Sequence, residues 1–217
     1  MKYKTVESKN SNKLNFDQYY TPHNVMEYCV NKSIDTIESL GFEISEFLEP
    51  SAGEGIFSDY LYERGLNVIA MDIEPKNNYI IKQDYLTCNI KYKAKRFIIG
   101  NPPYGSKFNL ARKFYNKSCE LGDYISFILP IRQLNNTQQL YKFDLVYSED
   151  LGKVKFSNKK YVHCCLNIYV RPKKGLNKKK INKLKDVDII RQDSKKYKDI
   201  DYDVRICSWG DSTAERY

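Results

Sequence analysis

The segment Asn101-Pro102-Pro103-Tyr104 combines residue types that can hold a flat molecule carrying an amine. Two consecutive prolines remove two backbone donors and fix the turn, so the carbonyls of Asn101 (side chain) and Pro102 (backbone) can point at one amine. Tyr104 adds a flat aromatic face for a planar substrate. The segment therefore predicts a site that accepts hydrogen bonds from an exocyclic amine.

Three further polar segments could bind the rest of a nucleoside-like ligand. Glu49-Pro50-Ser51-Ala52-Gly53-Glu54-Gly55 places two glycines in a turn before a helix, where backbone can approach a ligand and helix N–H groups attract a carboxylate. Met71-Asp72-Ile73 ends an apolar run with an acid placed to accept both ribose hydroxyls. In Gln83-Asp84-Tyr85, the acid could accept from an adenine amine. Each alone is also explained as a tight turn, surface acid or helix cap, so the prediction rests on their combination.

Short strands alternate with helices, and each polar segment follows a strand. The predicted strands are 46–50, 66–71, 79–81, 96–99, 124–129, 143–147 and 161–170, and the predicted helices are 23–40, 56–64 and 108–121. This alternation predicts an α/β fold with a largely parallel sheet and helices on both faces. In such sheets ligands bind at the carboxyl ends of the strands, which brings the four polar segments to one edge.

An Asn-Pro-Pro-Tyr motif directly after an apolar strand resembles the catalytic motif of S-adenosylmethionine-dependent amino-methyltransferases, especially the DNA adenine-N6 methyltransferases. The other segments follow that family's order over residues 14–171, and residues 17–22 resemble the cofactor-capping segment of its gamma class. The resemblance implies a Rossmann-like class I methyltransferase fold, S-adenosylmethionine as cofactor, and methylation of adenine N6 in DNA, as in restriction-modification. Gly100 departs from the acid that many DNA enzymes carry at this position.

The resemblance also implies roles for individual residues. Asn101, Pro102, Pro103 and Tyr104 form the catalytic motif. The implied cofactor-binding residues are Tyr20, Thr21, Glu49, Ser51, Gly53, Asp72, Ile73, Asp84 and Tyr85. Gly152–Phe156 with Lys159–Val162 resembles the late motif, in which an aromatic stacks on the face of the base opposite Tyr104. Phe156 is predicted for that role, with Tyr161 as the second choice.

Composition limits the remaining possibilities. A hydrophobic fraction of 41% predicts a real core, and the lack of a long apolar run or an apolar leader predicts a cytoplasmic protein with no membrane partner. Six cysteines without a Cys-x-x-Cys pair, and only two histidines, predict no metal site. The net charge of +9 favours a nucleic acid, DNA first, as partner.

The predicted organisation is a methyltransferase catalytic domain over 1–171, including the cofactor-capping segment, followed by a basic extension over 172–217. Eight Lys or Arg and no acid lie between Arg171 and Lys185, which indicates either a solvated tail or a phosphate-contacting segment. The extension is shorter than the target-recognition domain that the gamma class adds. Target specificity is then expected to be relaxed, carried by this tail, or supplied by a separate specificity subunit or a homodimer.

Other functions share these motifs. Asn-Pro-Pro-Tyr also occurs in enzymes that methylate adenine in RNA or a glutamine amide in proteins. A protein-glutamine enzyme would carry a helical domain before the cofactor loop, for which there is little room here. A non-catalytic nucleic-acid-binding module on the same fold is the alternative from a different class. A Rossmann oxidoreductase does not fit, because the glycine pattern lacks the dinucleotide fingerprint.

Overall fold

A computed structural model of the chain describes residues 21–156, 160–179, 204–206 and 214–216. The chain forms two compact units, 1–180 and 181–217. In the second unit, strands Val204–Ile206 and Ala214–Arg216 pair as an antiparallel ribbon. The described residues contain no helix long and apolar enough to cross a membrane.

The first unit is a three-layered α/β structure. Its elements are α1 (His23–Ser39), β1 (Glu46–Glu49), α2 (Ile56–Glu63), β2 (Val68–Asp72), β3 (Ile81–Lys82), β4 (Arg96–Gly100), α3 (Asn109–Leu121), β5 (Tyr124–Pro130), β6 (Asp144–Lys155) and β7 (Tyr161–Val170). The sheet order is β3-β2-β1-β4-β5-β7-β6. All pairs are parallel except those of β7, which runs antiparallel to both β5 and β6.

Helices cover both faces of this sheet, as predicted. Adjacent strand residues point to opposite faces, so Phe47 packs in the core under α1 and α2, whereas Leu48 packs in the core under α3. Cys164 and Cys165 divide between the same two cores. The apolar stripe of α1 is buried, and the helix ends at Ser39 just before Gly41, whose φ of 78° lies in the left-handed region.

Strand β6 is much longer than the predicted 143–147. It is an edge strand with one exposed face, so charged residues alternate with half-buried ones. Register shifts between Leu145 and Tyr147, and between Asp150 and Gly152, interrupt the two-residue period that would have revealed it. The predicted strand 79–81 is also displaced, since the observed β3 is Ile81–Lys82.

The first unit continues past the predicted boundary at Arg171. The backbone N–H of Asn177 donates to the Lys142 carbonyl at 2.9 Å, and its side-chain amide donates to Asp144 at 2.7 Å. These bonds hold the segment after β7 against the start of β6, and the boundary between the compact units falls after residue 180.

Candidate active site

A cavity of about 540 Å³ opens at the carboxyl edge of the parallel strands. That volume is typical of a site for a cofactor-sized ligand. Twelve predicted residues line it: Thr21, Glu49, Ser51, Gly53, Asp72, Ile73, Asp84, Tyr85, Asn101, Pro102, Pro103 and Tyr104. The structure thus brings together segments that are up to 80 residues apart in the chain, such as Thr21 and Asn101.

Asn101 follows the last residue of β4 and is held from two sides. Its side-chain amide nitrogen donates to the hydroxyl of buried Thr21 at 3.3 Å, and its backbone carbonyl accepts from the Ser51 hydroxyl at 3.3 Å. The first bond fixes the orientation of the Asn101 side-chain amide, and the second ties the Asn101 backbone to the loop after β1. Thr21 therefore contacts the Asn-Pro-Pro-Tyr segment, a link that its predicted role in cofactor binding did not include.

The end of this segment is anchored on α3. The Tyr104 carbonyl accepts from the backbone N–H groups of Leu110 and Ala111 at 3.1 and 3.3 Å. Between Tyr104 and Leu110, the residues Lys107 and Phe108 adopt left-handed backbone conformations, with φ of 51° and 64°. Such conformations are costly for residues other than glycine, and they cluster at functional sites.

The glycine loop after β1 is fixed to the acid at the end of β2. One carboxylate oxygen of Asp72 accepts from the Gly53 backbone N–H at 2.8 Å, and the other accepts from Glu74 N–H at 2.8 Å. Ile73, 47% exposed, adds an apolar wall beside this carboxylate. The arrangement suits a sugar edge on Asp72 and a flat ring against Ile73.

The segment between β2 and β3 supports the same loop, which the sequence did not reveal. The Lys76 N–H donates to the Gly53 carbonyl at 3.0 Å, and the Asn77 side chain donates to the Glu54 carbonyl at 2.5 Å. The Tyr79 hydroxyl occupies the space that a Cβ atom on Gly55 would need, and Gly55 has a φ of 91°. A side chain at this position would displace the Tyr79 ring, and the backbone conformation itself favours glycine.

Glu49 is a deeply buried acid of the cavity. It is 1% exposed and accepts a hydrogen bond from the Ser58 backbone N–H at 2.9 Å. Burial raises the pKa of Glu49 from 4.5 to about 8; hydrogen bonds from Ser58 oppose the rise, and the negative charges of Asp59 and Asp72 add to it. With Glu54, Asp72 and Asp84, four carboxyl groups line the cavity, and no described Lys or Arg does.

Asp84 is the acid of the cavity that lies shortly after β3. Asp84 caps a 3-10 turn over Tyr85–Thr87 by accepting from the Leu86 N–H at 2.9 Å. Tyr85 is 2% exposed, bonds Ser118 through its hydroxyl at 2.8 Å, and packs 5.1 Å from Phe114. It lines the cavity as a wall of the core and has little surface to offer a ligand. Phe114, Leu110 and Phe57 complete the apolar walls, and the sequence indicated them only as helix residues.

The structure places the predicted stacking ring away from the cavity. Phe156 is 2% exposed and packs in the core beside Val154 and Val162, so it presents almost no surface to a base. Phe156 directly follows β6, and its side chain packs in the same core as that of Val154, two residues earlier. Tyr161, the second choice, is 64% exposed. Tyr20 lies outside the described residues.

Over the described ranges, no three His, Cys, Asp or Glu side chains are grouped so that they could hold a metal ion. The five described cysteines are buried. The cavity lining offers carboxyl groups, hydroxyls, an amide and aromatic rings.

The fold is that of the class I S-adenosylmethionine-dependent methyltransferases. The structure resembles the protein PH1948 of Pyrococcus horikoshii, with a TM-score of 0.57 and 17% identity over 76% of this chain and 92% of that one. It also resembles the 23S rRNA methyltransferase ErmE, with a TM-score of 0.53 and 14% identity over 74% of this chain and 72% of that one. At such identities the likeness defines the fold alone.

The sequence itself is similar to two curated methyltransferases. It is 26% identical over 171 residues to the type II methyltransferases M.HincII and M.HindII, both from Haemophilus influenzae, covering 68% of this chain and 32% of each relative. The match thus spans about a third of the length of these relatives. No protein-family profile matches the chain. The resemblance to type II methyltransferases agrees with that of the motifs.

Proposed function

We propose that this chain transfers a methyl group from S-adenosylmethionine to the exocyclic N6 amine of adenine in DNA, using a catalytic domain that begins at or before Tyr20 and includes β7. One observation carries the proposal. The Asn101–Tyr104 segment lines the same cavity as the acids at the ends of β1 and β2. A group that can accept hydrogen bonds from an amine therefore lies beside a cavity large enough for a nucleoside.

The cavity fits S-adenosylmethionine, which when bound supplies a methyl group activated by its sulfonium. Asp72 is placed to accept the ribose hydroxyls, and Ile73 to contact the adenine ring. Asp84 is placed near the adenine amine, and the loop at Ser51 and Gly53 near the methionine end. A cation is favoured there because four carboxyl groups and no described cation line the walls.

On the substrate side, the chain has to align a weakly nucleophilic amine. Hydrogen bonds from that amine to Asn101 and to the Pro102 carbonyl favour a more tetrahedral nitrogen and stabilise the positive charge that develops on it. Thr21 holds the Asn101 side-chain amide and Ser51 holds the Asn101 backbone carbonyl, so little reorganisation is needed during transfer. Tyr104 and the prolines pack against the base and exclude water.

A base stacked in a duplex cannot reach this cavity, so the target adenine has to flip out of the helix. Tyr104 supplies one stacking face. For the second we favour Tyr161 over Phe156, because Phe156 would have to leave the core to expose its ring. The net charge of +9 and the similarity to type II methyltransferases support a DNA substrate.

The test is product identification. The protein is incubated with labelled S-adenosylmethionine and, separately, duplex DNA, structured RNA and total protein, and the digested products are identified. N6-methyladenine in DNA is the expected product. Label only in RNA would transfer the proposal to RNA adenine, and label only in protein would overturn it.

The catalytic assignment has its own test. Asn101→Ala is expected to abolish methyl transfer while cofactor affinity, measured by calorimetry, stays within a few-fold. Asn109→Ala is the matched control, because Asn109 lies at the start of α3 with its side chain accepting only from Arg112 at 2.7 Å. Near-normal activity of Asn101→Ala would refute the mechanism.

A further inference from the structure

The hairpin of β6 and β7 extends beyond the rest of the sheet. Strand β5 ends at Pro130, which pairs with Cys164, whereas the pairing of β6 with β7 continues to Lys155 and Tyr161. Because β5 is parallel to β4, and β4 to β1, this extension leaves the sheet at the carboxyl edge. The hairpin therefore projects at the edge where the cavity opens.

The two faces of the extension differ in character. Val154 and Val162, paired across the strands, pack into the core with Phe156. On the other face, Lys153 lies opposite His163 and Lys155 opposite Tyr161, and all four are exposed. The Lys155 ammonium lies 5.7 Å from the Tyr161 ring centre. The exposed face thus combines cations with an aromatic ring.

The acid beside this face, Asp150, is engaged in hydrogen bonds within the hairpin. Asp150 bonds the His163 ring at 2.7 Å and accepts from the Gly152 N–H at 2.7 Å. Two more exposed cations follow neighbouring strand ends, Lys107 after β4 and Arg132 after β5. The carboxyl edge is therefore acidic in the cavity beside β1 and β2, and basic from β4 to β7.

The basic region is connected to the proposed catalytic segment. The Tyr104 hydroxyl lies 3.7 Å from the sulfur of Cys164, the residue at which the hairpin leaves the sheet. The Cys164 side chain packs in the core on the same face as Val162, so this contact places Tyr104 at the base of the hairpin, at the carboxyl edge from which the exposed hairpin face projects.

We infer that the exposed hairpin face, defined as Lys153, Lys155, Tyr161 and His163, binds the sugar–phosphate backbone of DNA beside the flipped adenine. The inference rests on the proposed function and names the surface that holds its substrate. Charge complementarity supports it, because a polyanion is attracted to lysines spaced along one strand face and repelled by the carboxylates of the cavity.

Salt dependence of binding tests the inference directly. The double variant Lys153→Gln/Lys155→Gln is compared with Lys91→Gln/Lys93→Gln, an exposed pair of the same spacing that precedes β4 and so lies toward the opposite edge of the sheet. Affinity for a labelled DNA duplex is measured over a range of salt concentrations in the presence of S-adenosylhomocysteine. Each lost phosphate contact reduces the slope of log K against log[salt] by about 0.9, so the hairpin variant should lose up to about 1.8.

The outcomes separate this inference from the proposed function. A reduced slope for the hairpin variant with an unchanged slope for the control pair supports the surface. Equal slopes in a protein that still methylates DNA adenine would overturn the hairpin surface and leave the proposed function intact. A reduced slope with RNA but not DNA would overturn the DNA assignment, and salt-independent binding by the unmodified protein would overturn both.

Discussion

Glu49 makes cofactor binding depend on pH. With burial as the main cause, its pKa rises from 4.5 to about 8. At about 1.36 kcal/mol per pH unit, this rise corresponds to roughly 5 kcal/mol against the charged form in the ligand-free protein. A cation bound in the cavity favours the carboxylate, so binding near neutral pH should release a proton. Affinity for S-adenosylmethionine should then increase by up to about tenfold per pH unit, or roughly 100-fold from about pH 6 to about pH 8.

The assay is calorimetry at several pH values in buffers of different ionisation enthalpy, which counts the protons released. Glu49→Gln should flatten the dependence, since the amide does not titrate. Glu54→Gln is the control, because Glu54 lines the same cavity but is exposed. An affinity that does not change between about pH 6 and pH 8, or a dependence that persists in Glu49→Gln, would refute the reasoning.

Glu49 should also make the free energy of unfolding depend on pH, with a trend opposite to that of cofactor affinity. Its pKa is higher in the folded chain than in the unfolded one, so the folded state holds the extra proton between pH 4.5 and about 8. The contribution of Glu49 to the free energy of unfolding should therefore fall as pH rises through that window. Chemical denaturation of Glu49→Gln should show a weaker fall than that of the unmodified protein.

Three further substitutions test the site and the fold. Asp72→Asn should weaken S-adenosylmethionine binding by roughly 10- to 100-fold, because the new amide places a donor against Gly53 N–H or Glu74 N–H; unchanged affinity in calorimetry would argue against the ribose role. Tyr161→Ala should lower kcat/KM for DNA by roughly tenfold or more, whereas Phe156→Leu should mainly lower the melting temperature. If kinetics and thermal denaturation show the reverse pattern, Phe156 is the stacking ring. Arg96→Met should cost roughly 1.5–3 kcal/mol in urea unfolding, since buried Glu46 loses its 2.6 Å partner and keeps Lys93 at 2.8 Å.

Much of the fold was readable from the sequence because it depends on local periodicity. The strand β7 was predicted with its observed ends, and α1 and α3 to within one residue. The order of the polar segments, each after a strand, also placed twelve residues at one cavity, because a parallel sheet brings its strand ends together.

What the sequence did not reveal depends on contacts between distant segments. The support of Gly55 by Tyr79 involves a ring that comes from the next loop and has no local signature. The length of β6 was hidden by two bulges, which shift the alternation of its side chains. Phe156 was assigned to the substrate side from the resemblance to the late motif, whereas its packing in the core depends on contacts with Val154 and Val162 that the motif does not show.

The charge division along the carboxyl edge follows from the same topology. The cavity acids come from the chain before β4, and the cations of the hairpin face come from the chain after it, which the sheet order β3-β2-β1-β4-β5-β7-β6 places on different sides of β4. The Asn101–Tyr104 segment lies at the boundary, directly after β4. For the proposed reaction between a cationic methyl donor and polyanionic DNA, this division of charge favours each substrate on its own side of the Asn101–Tyr104 segment.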